Sequence, residues 1–120
     1  MKRLMLKSKI HRATITGTEL DYEGSITVDE ELLEAADILP GEQVHVLNFS
    51  TSSRLITYTI AAPRGSGTVL LNGPAARLAT PGDQVIILSY CEVGDDEAGR
   101  FKPKIVHVDE HNRLRRDLSR

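Results

Sequence analysis

A single cysteine, no tryptophan, five aromatic residues and nearly balanced charge set the first limits on this 120-residue chain. Cys91 has no partner for an internal disulfide. Tyr22, Phe49, Tyr58, Tyr90 and Phe101 are too few for a base-stacking platform. Fifteen Lys+Arg against 17 Asp+Glu leave a formal charge of −2, which supplies no field to gather nucleic acid or an anionic membrane. Long hydrophobic runs are missing too. The longest, Val85 to Leu88, is far short of the ~20 residues that span a bilayer. The basic N-terminal run from Met1 to Lys9 lacks the apolar centre of a signal peptide, so a cytoplasmic location is expected. His11, His45, His107 and His111 stand far apart with no cysteine pair beside them, and no metal site is expected. P-loop, G-x-G-x-x-G and G-x-S-x-G motifs do not occur, and Arg64 to Gly67 reads as a hairpin loop.

What remains is a pattern of short Val-, Ile- and Thr-rich runs punctuated by Gly, Pro and Ser, the signature of strands separated by turns. The expected strands are Leu4–Thr16 (broken near Ser8), Ser25–Val28, Val44–Phe49, Arg54–Ala61, Thr68–Leu71, Val85–Cys91 and Lys104–Val108. A first helix is expected after the N-cap Asp29, with Leu32, Leu33 and Ala36 at helical spacing, and a second, Ala-rich one from Pro74 to Ala79. The run Ala36-Asp-Ile-Leu-Pro-Gly-Glu-Gln-Val-His-Val-Leu47 matches Ala76-Arg-Leu-Ala-Thr-Pro-Gly-Asp-Gln-Val-Ile-Ile-Leu88 with one inserted residue. Two such units fit a pseudo-twofold pair rather than a solenoid, which needs three repeats or more. The expectation is one mainly β domain over 1–120, a six- or seven-stranded barrel with short helices. Glu92 to Arg100 reads as an acidic loop, and residues 109–120 as a mobile tail.

The chemistry centres on Tyr22-Glu-Gly-Ser25, where a Gly-Ser pair enters a strand. Glycine reaches backbone conformations closed to other residues, and its carbonyl is then open to the neighbouring hydroxyl. This motif occurs in order with Lys9-Ile-His-Arg12, Arg54-Leu-Ile-Thr-Tyr58, Ala61-Ala-Pro-Arg-Gly-Ser66 and Asn72-Gly-Pro-Ala-Ala76. The set, covering roughly residues 1 to 105, resembles the pyruvoyl-dependent aspartate α-decarboxylase family. The chain departs from the family pattern at Pro74, where Ala is usual, at Leu47, where an aromatic is frequent, and at Asp21, where His occurs.

The resemblance implies a double-psi β-barrel, a homotetramer with sites near subunit interfaces, and release of β-alanine and carbon dioxide from L-aspartate for pantothenate and coenzyme A biosynthesis. It implies that Ser25 Oγ attacks the Gly24 carbonyl and splits the chain into a 1–24 β chain and a 25–120 α chain. Residue 25 then becomes a pyruvoyl group, whose ketone forms a Schiff base with the substrate and acts as the electron sink. No pyridoxal phosphate and no metal are implied. Thr57 would assist at the cleavage bond, Tyr58 would donate the proton that replaces the carboxylate, and Lys9, Arg54, Thr57, Asn72, Gly73, Pro74 and Ala75 would hold the substrate. Arg54 suits a carboxylate because its planar fork binds two oxygens at once. His11 and Tyr22 lie in the matched motifs without an assigned role, and a maturation factor is a candidate partner. The competing reading is a small barrel that binds nucleic acid or a protein without catalysis, supported by the duplicated Pro-Gly-acid turn and the Arg-rich C-terminus.

Overall fold

The structure, a computed structural model, describes residues 1–21 and 24–115. Nine strands are present among them: β1 (Lys2–Thr14), β2 (Gly17–Glu19), β3 (Ser25–Asp29), β4 (Gln43–Asn48), β5 (Arg54–Ala62), β6 (Val69–Asn72), β7 (Gln84–Gly94), β8 (Lys104–Val108) and β9 (Leu114–Arg115). They follow the spatial order β2-β6-β3-β5-β4-β7-β1-β8-β9. This mainly β architecture is consistent with the small barrel expected. Helix α1 (Glu30–Ala35) follows Asp29, whose side chain caps it by accepting from the Glu31 N–H. The expected break in β1 is a pair of register shifts, one between Leu6 and Ser8 and one between Ile10 and Ala13.

The internal repeat is written into the hydrogen bonds. In the first unit Gly41 N–H donates to Thr59 O at 2.8 Å and Thr59 N–H to Glu42 O at 3.1 Å. In the second, Gly82 N–H donates to Ile15 O and Ile15 N–H to Asp83 O, both at 2.8 Å. Each acid also reaches back three residues, Glu42 Oε1 accepting from Leu39 N–H and Asp83 Oδ2 from Thr80 N–H. The units meet where β4 pairs with β7: His45↔Leu88 and Leu47↔Ile86 flank the central Val46↔Ile87 pair symmetrically. Ile10, Ile26, Val28, Leu32, Val46 and Ile87 fill the buried interior.

Four expectations need correction. The Pro74–Ala79 helix is a 3₁₀ helix at Gly73–Leu78, short and begun by proline at its first turn. Arg64 to Gly67 is not a hairpin loop, because β5 and β6 do not pair with each other; they flank β3, parallel and antiparallel to it respectively. Glu92 to Arg100 is not an open loop: β7 runs on to Gly94 opposite Lys2, and helix α2 (Asp95–Ala98) follows. Residues 109–115 are not a free tail. Asn112 is buried, its Oδ1 accepts from Thr14 N–H, and its Nδ2 donates to Thr14 O and Gly67 O, while β9 pairs with β8. Residues 116–120 of the expected tail lie outside the described residues. The two short strands β2 and β9, which pattern alone is too brief to signal, raise the count above seven.

Asp29 ties these parts together. Its buried carboxylate caps α1 and also accepts from Gly65 N–H at 3.0 Å and Gly67 N–H at 2.9 Å. Gly67 sits at φ 69°, and a Cβ there would come within 2.9 Å of His111 O, so only glycine fits between the carboxylate and the C-terminal segment. Burial alone would raise the Asp29 carboxyl, but the N–H groups of Gly67, Glu31 and Gly65, with the charge of Arg113, together hold it below its ordinary value of 3.8. The unfolded chain therefore binds the proton more readily than the folded one. The stabilisation is complete above about pH 4 and is lost as pH falls through the lowered folded value. Asp29→Ala is expected to cost about 2–4 kcal/mol, from the lost cap and the buried N–H groups left without an acceptor. It should also flatten the acid limb of the stability curve. Urea unfolding of both proteins between pH 3 and pH 7 measures both effects.

Candidate active site

The site grows from the way β3 begins. Ser25 pairs with Asn72 at the end of β6, but pairing with β5 starts only at Ile26↔Thr59. Residues 54–58 of β5 therefore run on past the start of β3, with no described strand on that edge. The gap is a cleft of about 340 Å³ lined by Gly24, Leu55, Ile56, Thr57, Pro74, Ala75 and Leu78. Gly24 is exposed at its mouth, and Ser25 behind it is fully buried. An added Cβ at Gly24 would meet only Pro74 Cδ, at an ordinary 3.8 Å, so crowding does not explain the glycine.

Asn72, the last residue of β6, is buried beside Ser25. Its Nδ2 donates to Ser25 Oγ at 2.8 Å and to Thr27 Oγ1 at 2.9 Å. Both hydroxyls lie on one face of β3 because residues two apart in a strand share a side. Gly73 is the buried first residue of the 3₁₀ helix, while Pro74 and Ala75 form the cleft wall. Gly24, Thr57, Pro74 and Ala75 thus line one cleft, with Ser25, Asn72 and Gly73 at its inner end.

Lys9, Arg54 and Tyr58 are elsewhere. Alternation along β5 turns Leu55, Thr57 and Thr59 inward and Arg54, Ile56 and Tyr58 outward. The pairings Lys9↔Leu88, His45↔Leu88 and His45↔Ile56 extend this outer face across four strands. Arg54 Nη1 lies 3.0 Å from His45 Nδ1, and the His45 ring meets Tyr90 edge to face at 5.0 Å. This surface is apolar for an outer face, with Ile56 58% exposed and Ile105, the neighbour of Lys9 on β8, 43% exposed. His11, on the same strand as Lys9, packs near Phe49 and His107. Tyr22 lies outside the described residues.

Sequence reasoning overlooked Thr27, His45 and Leu78. Thr27 was within reach of it, since it follows Ser25 by two residues in a strand. His45 and Leu78 meet the site only through strand register and the fold of the 3₁₀ helix.

Among the described residues no helix is long and apolar enough to cross a membrane. The profile of the family described as aspartate decarboxylase matches residues 1–115. The aspartate 1-decarboxylase of Thermoanaerobacter pseudethanolicus is 54% identical over 113 residues, covering 94% of this chain and 97% of that protein. That of Carboxydothermus hydrogenoformans is 56% identical over 110 residues, 92% of this chain and 87% of its own length. Aspartate 1-decarboxylase 1 of Gloeobacter violaceus is 56% identical over 114 residues, covering 95% and 97%. With a match that runs from the first strand through the last, and relatives identical at more than half of the positions, the chain belongs to the aspartate decarboxylase family.

Proposed function

We propose that the chain is a lyase that removes the α-carboxylate of L-aspartate to give β-alanine for pantothenate biosynthesis, using a pyruvoyl group made from its own Ser25. Family membership supports the reaction. The observation that carries the cofactor is the buried Ser25 hydroxyl, held by Asn72 at 2.8 Å, directly behind an exposed Gly24 that lines a cleft. Ser25 Oγ attacks the Gly24 carbonyl, the Gly24–Ser25 peptide bond becomes an ester, and elimination releases the new carboxylate of residue 24. Water then displaces the residue 25 nitrogen as ammonia and leaves the ketone.

The residues present fit that group. Asn72 Nδ2 already marks a hydrogen-bond donor at the position an oxygen on residue 25 takes, and Thr27 is part of the same network. When formed, the pyruvoyl ketone accepts the substrate amine and the electrons left by departing carbon dioxide. With Gly24 attached, position 25 is fully buried, so substrate reaches it only after the bond is broken. Arg54 grips the retained side-chain carboxylate through its fork, Lys9 adds a point charge, and Thr57 with the Gly73–Ala75 wall orients the rest. The Tyr58 hydroxyl donates a proton to the carbon that has lost its carboxylate.

Arg54 on β5 and Lys9 on β1 share the outer face, Arg54 on the side of β5 opposite to Leu55 and Thr57, and that face exposes Ile56 and Ile105. A second copy covering this face would bring its own cleft to them, and a closed homotetramer satisfies every such face. In that arrangement each site takes Ser25 from one chain and Arg54 from another.

Intact-mass spectrometry after warm incubation is expected to find a 1–24 fragment and a 25–120 fragment blocked by pyruvoyl. Ser25→Ala should stay whole and inactive. A parent chain that stays whole, with no ketone trapped by borohydride in the presence of aspartate, would overturn the proposal. An accessory maturation factor is needed if cleavage occurs in cell extract and not in the purified chain.

Tyr58→Phe should cleave normally yet release β-alanine roughly 10²-fold more slowly, since only the proton donor is gone. Parental turnover in this variant would assign the donor elsewhere.

Ser25→Ala and Arg54→Ala chains, each inactive alone, should recover activity when co-expressed. Random mixing gives about a quarter of the sites both an intact Ser25 and an intact Arg54 if each site is shared between two chains. No recovery would put both residues of a site on one chain.

A further inference from the structure

One side chain outside the cleft joins the 3₁₀ wall of the cleft to the turn that precedes Arg54. Asn48 ends β4 and is buried at 5% exposure. Its Oδ1 accepts from Ser50 N–H at 2.8 Å and Thr51 N–H at 3.3 Å, fixing the turn that delivers Arg54 at the start of β5. The backbone of that turn closes on the same residue, Asn48 N–H donating to Ser53 O and Ser52 N–H to Asn48 O. Its Nδ2 faces the other way and donates at 3.0 Å to Leu78 O, the last carbonyl of the 3₁₀ helix, and at 3.0 Å to Asp83 Oδ2. Leu78 lines the cleft, and Pro74 and Ala75 of the same helix form its wall. A helix of six residues has too few internal bonds to hold its own orientation, so an outside donor at its last carbonyl sets where the wall stands.

Resting on the decarboxylase reading above, we infer that Asn48 is a positioning residue for the reaction, one amide that fixes the Gly73–Leu78 wall of the cleft and the Arg54 turn relative to each other. It touches neither substrate nor the reacting atoms. The corresponding place in the second repeat unit, Ser89 one residue beyond Leu88 just as Asn48 follows Leu47, lies next to Glu42, the counterpart of Asp83, and helps lower the Glu42 carboxyl. A hydroxyl suffices there to bond the acid. The first unit carries an amide, whose extra donor and acceptor are those directed at Leu78 and at the Arg54 turn.

The test compares Asn48→Ala with Asn48→Ser. The serine hydroxyl can still accept from Ser50 N–H, as hydroxyls do in such turns, and its single proton can serve Asp83, whose unchanged Oδ2 still accepts from Thr80 N–H. Leu78 O is left without a donor from residue 48. Asn48→Ala should lower kcat/KM for aspartate about 10-fold or more, given what a displacement near 1 Å costs, with KM rising more than kcat falls. Asn48→Ser should keep the amide exchange of residues 50–53 near the parental rate. It should speed amide exchange in residues 75–79 and leave kcat/KM depressed by at least half of the Ala effect on a logarithmic scale. Parental kcat/KM and parental exchange at 75–79 in Asn48→Ser would overturn the inference, since Asn48 would then serve only to tie a turn to Asp83. A parent chain that fails to decarboxylate aspartate would remove the decarboxylase reading instead, and the amide exchange would still judge the contact with Leu78.

Discussion

Everything at the site depends on where strand β3 can be paired. It is largely buried between β5 on one edge and β6 on the other, and its backbone groups are satisfied by those two ladders and by Thr68 O beside β6. The parallel ladder to β5 starts one residue later than the antiparallel ladder to β6. That offset leaves an unpaired stretch of β5, and the cleft is the space it opens. Ser25 is buried because it is the first paired residue, and Gly24 is exposed because it is the last unpaired one. The position of the proposed scissile bond is therefore a property of sheet register rather than of a loop.

The two repeat units have divided their labour. Asp29 and Asn72 hold equivalent places, each ending a buried strand and preceding a short helix. Asp29 spends its carboxylate on backbone N–H groups of its own helix and of the Gly65–Gly67 loop. Asn72 makes no cap at all and turns its amide on Ser25 and Thr27. A carboxylate there could accept from N–H groups but could donate to neither hydroxyl. The helix after Asn72 is correspondingly the weaker one, 3₁₀ rather than α, and takes its anchor from Asn48 at its far end.

The seven longer strands were legible because Val, Ile and Thr alternate between clear turn residues, and the repeat was legible because Pro-Gly-acid-Gln-Val occurs twice. The two shortest strands were not: β2 and β9 are three and two residues long, below any periodic signal, and exist because neighbouring segments bring them alongside β6 and β8. The C-terminal segment read as a mobile end because its basic residues look solvated, yet a single buried amide, Asn112, outweighs them by bridging β1 to Gly67. At the site, the motifs picked out Ser25, Asn72 and Arg54, but no one-dimensional pattern could tell that β5 would turn Arg54 away from Ser25. The alternation of Thr57 and Tyr58 hinted at opposite faces; only the pairing of β5 with both β3 and β4 decides which face is which.

The location of β1 bears on how such a molecule can be made at all. This strand is wedged between β7, with ten paired positions, and β8, yet it belongs to the part of the chain that precedes Gly24. While the chain is whole, bringing β1 to its neighbours is a unimolecular closure whose entropy grows only slowly with loop length. If the backbone is cut after Gly24 as proposed, the same strand is a separate peptide held by its ladders and core contacts alone, and its return after unfolding becomes a second-order encounter that dilution slows. The proposed maturation would thereby be ordered in time, with folding preceding the cut. The finished protein would be a kinetically trapped product, persistent while intact and poorly able to rebuild itself from its pieces.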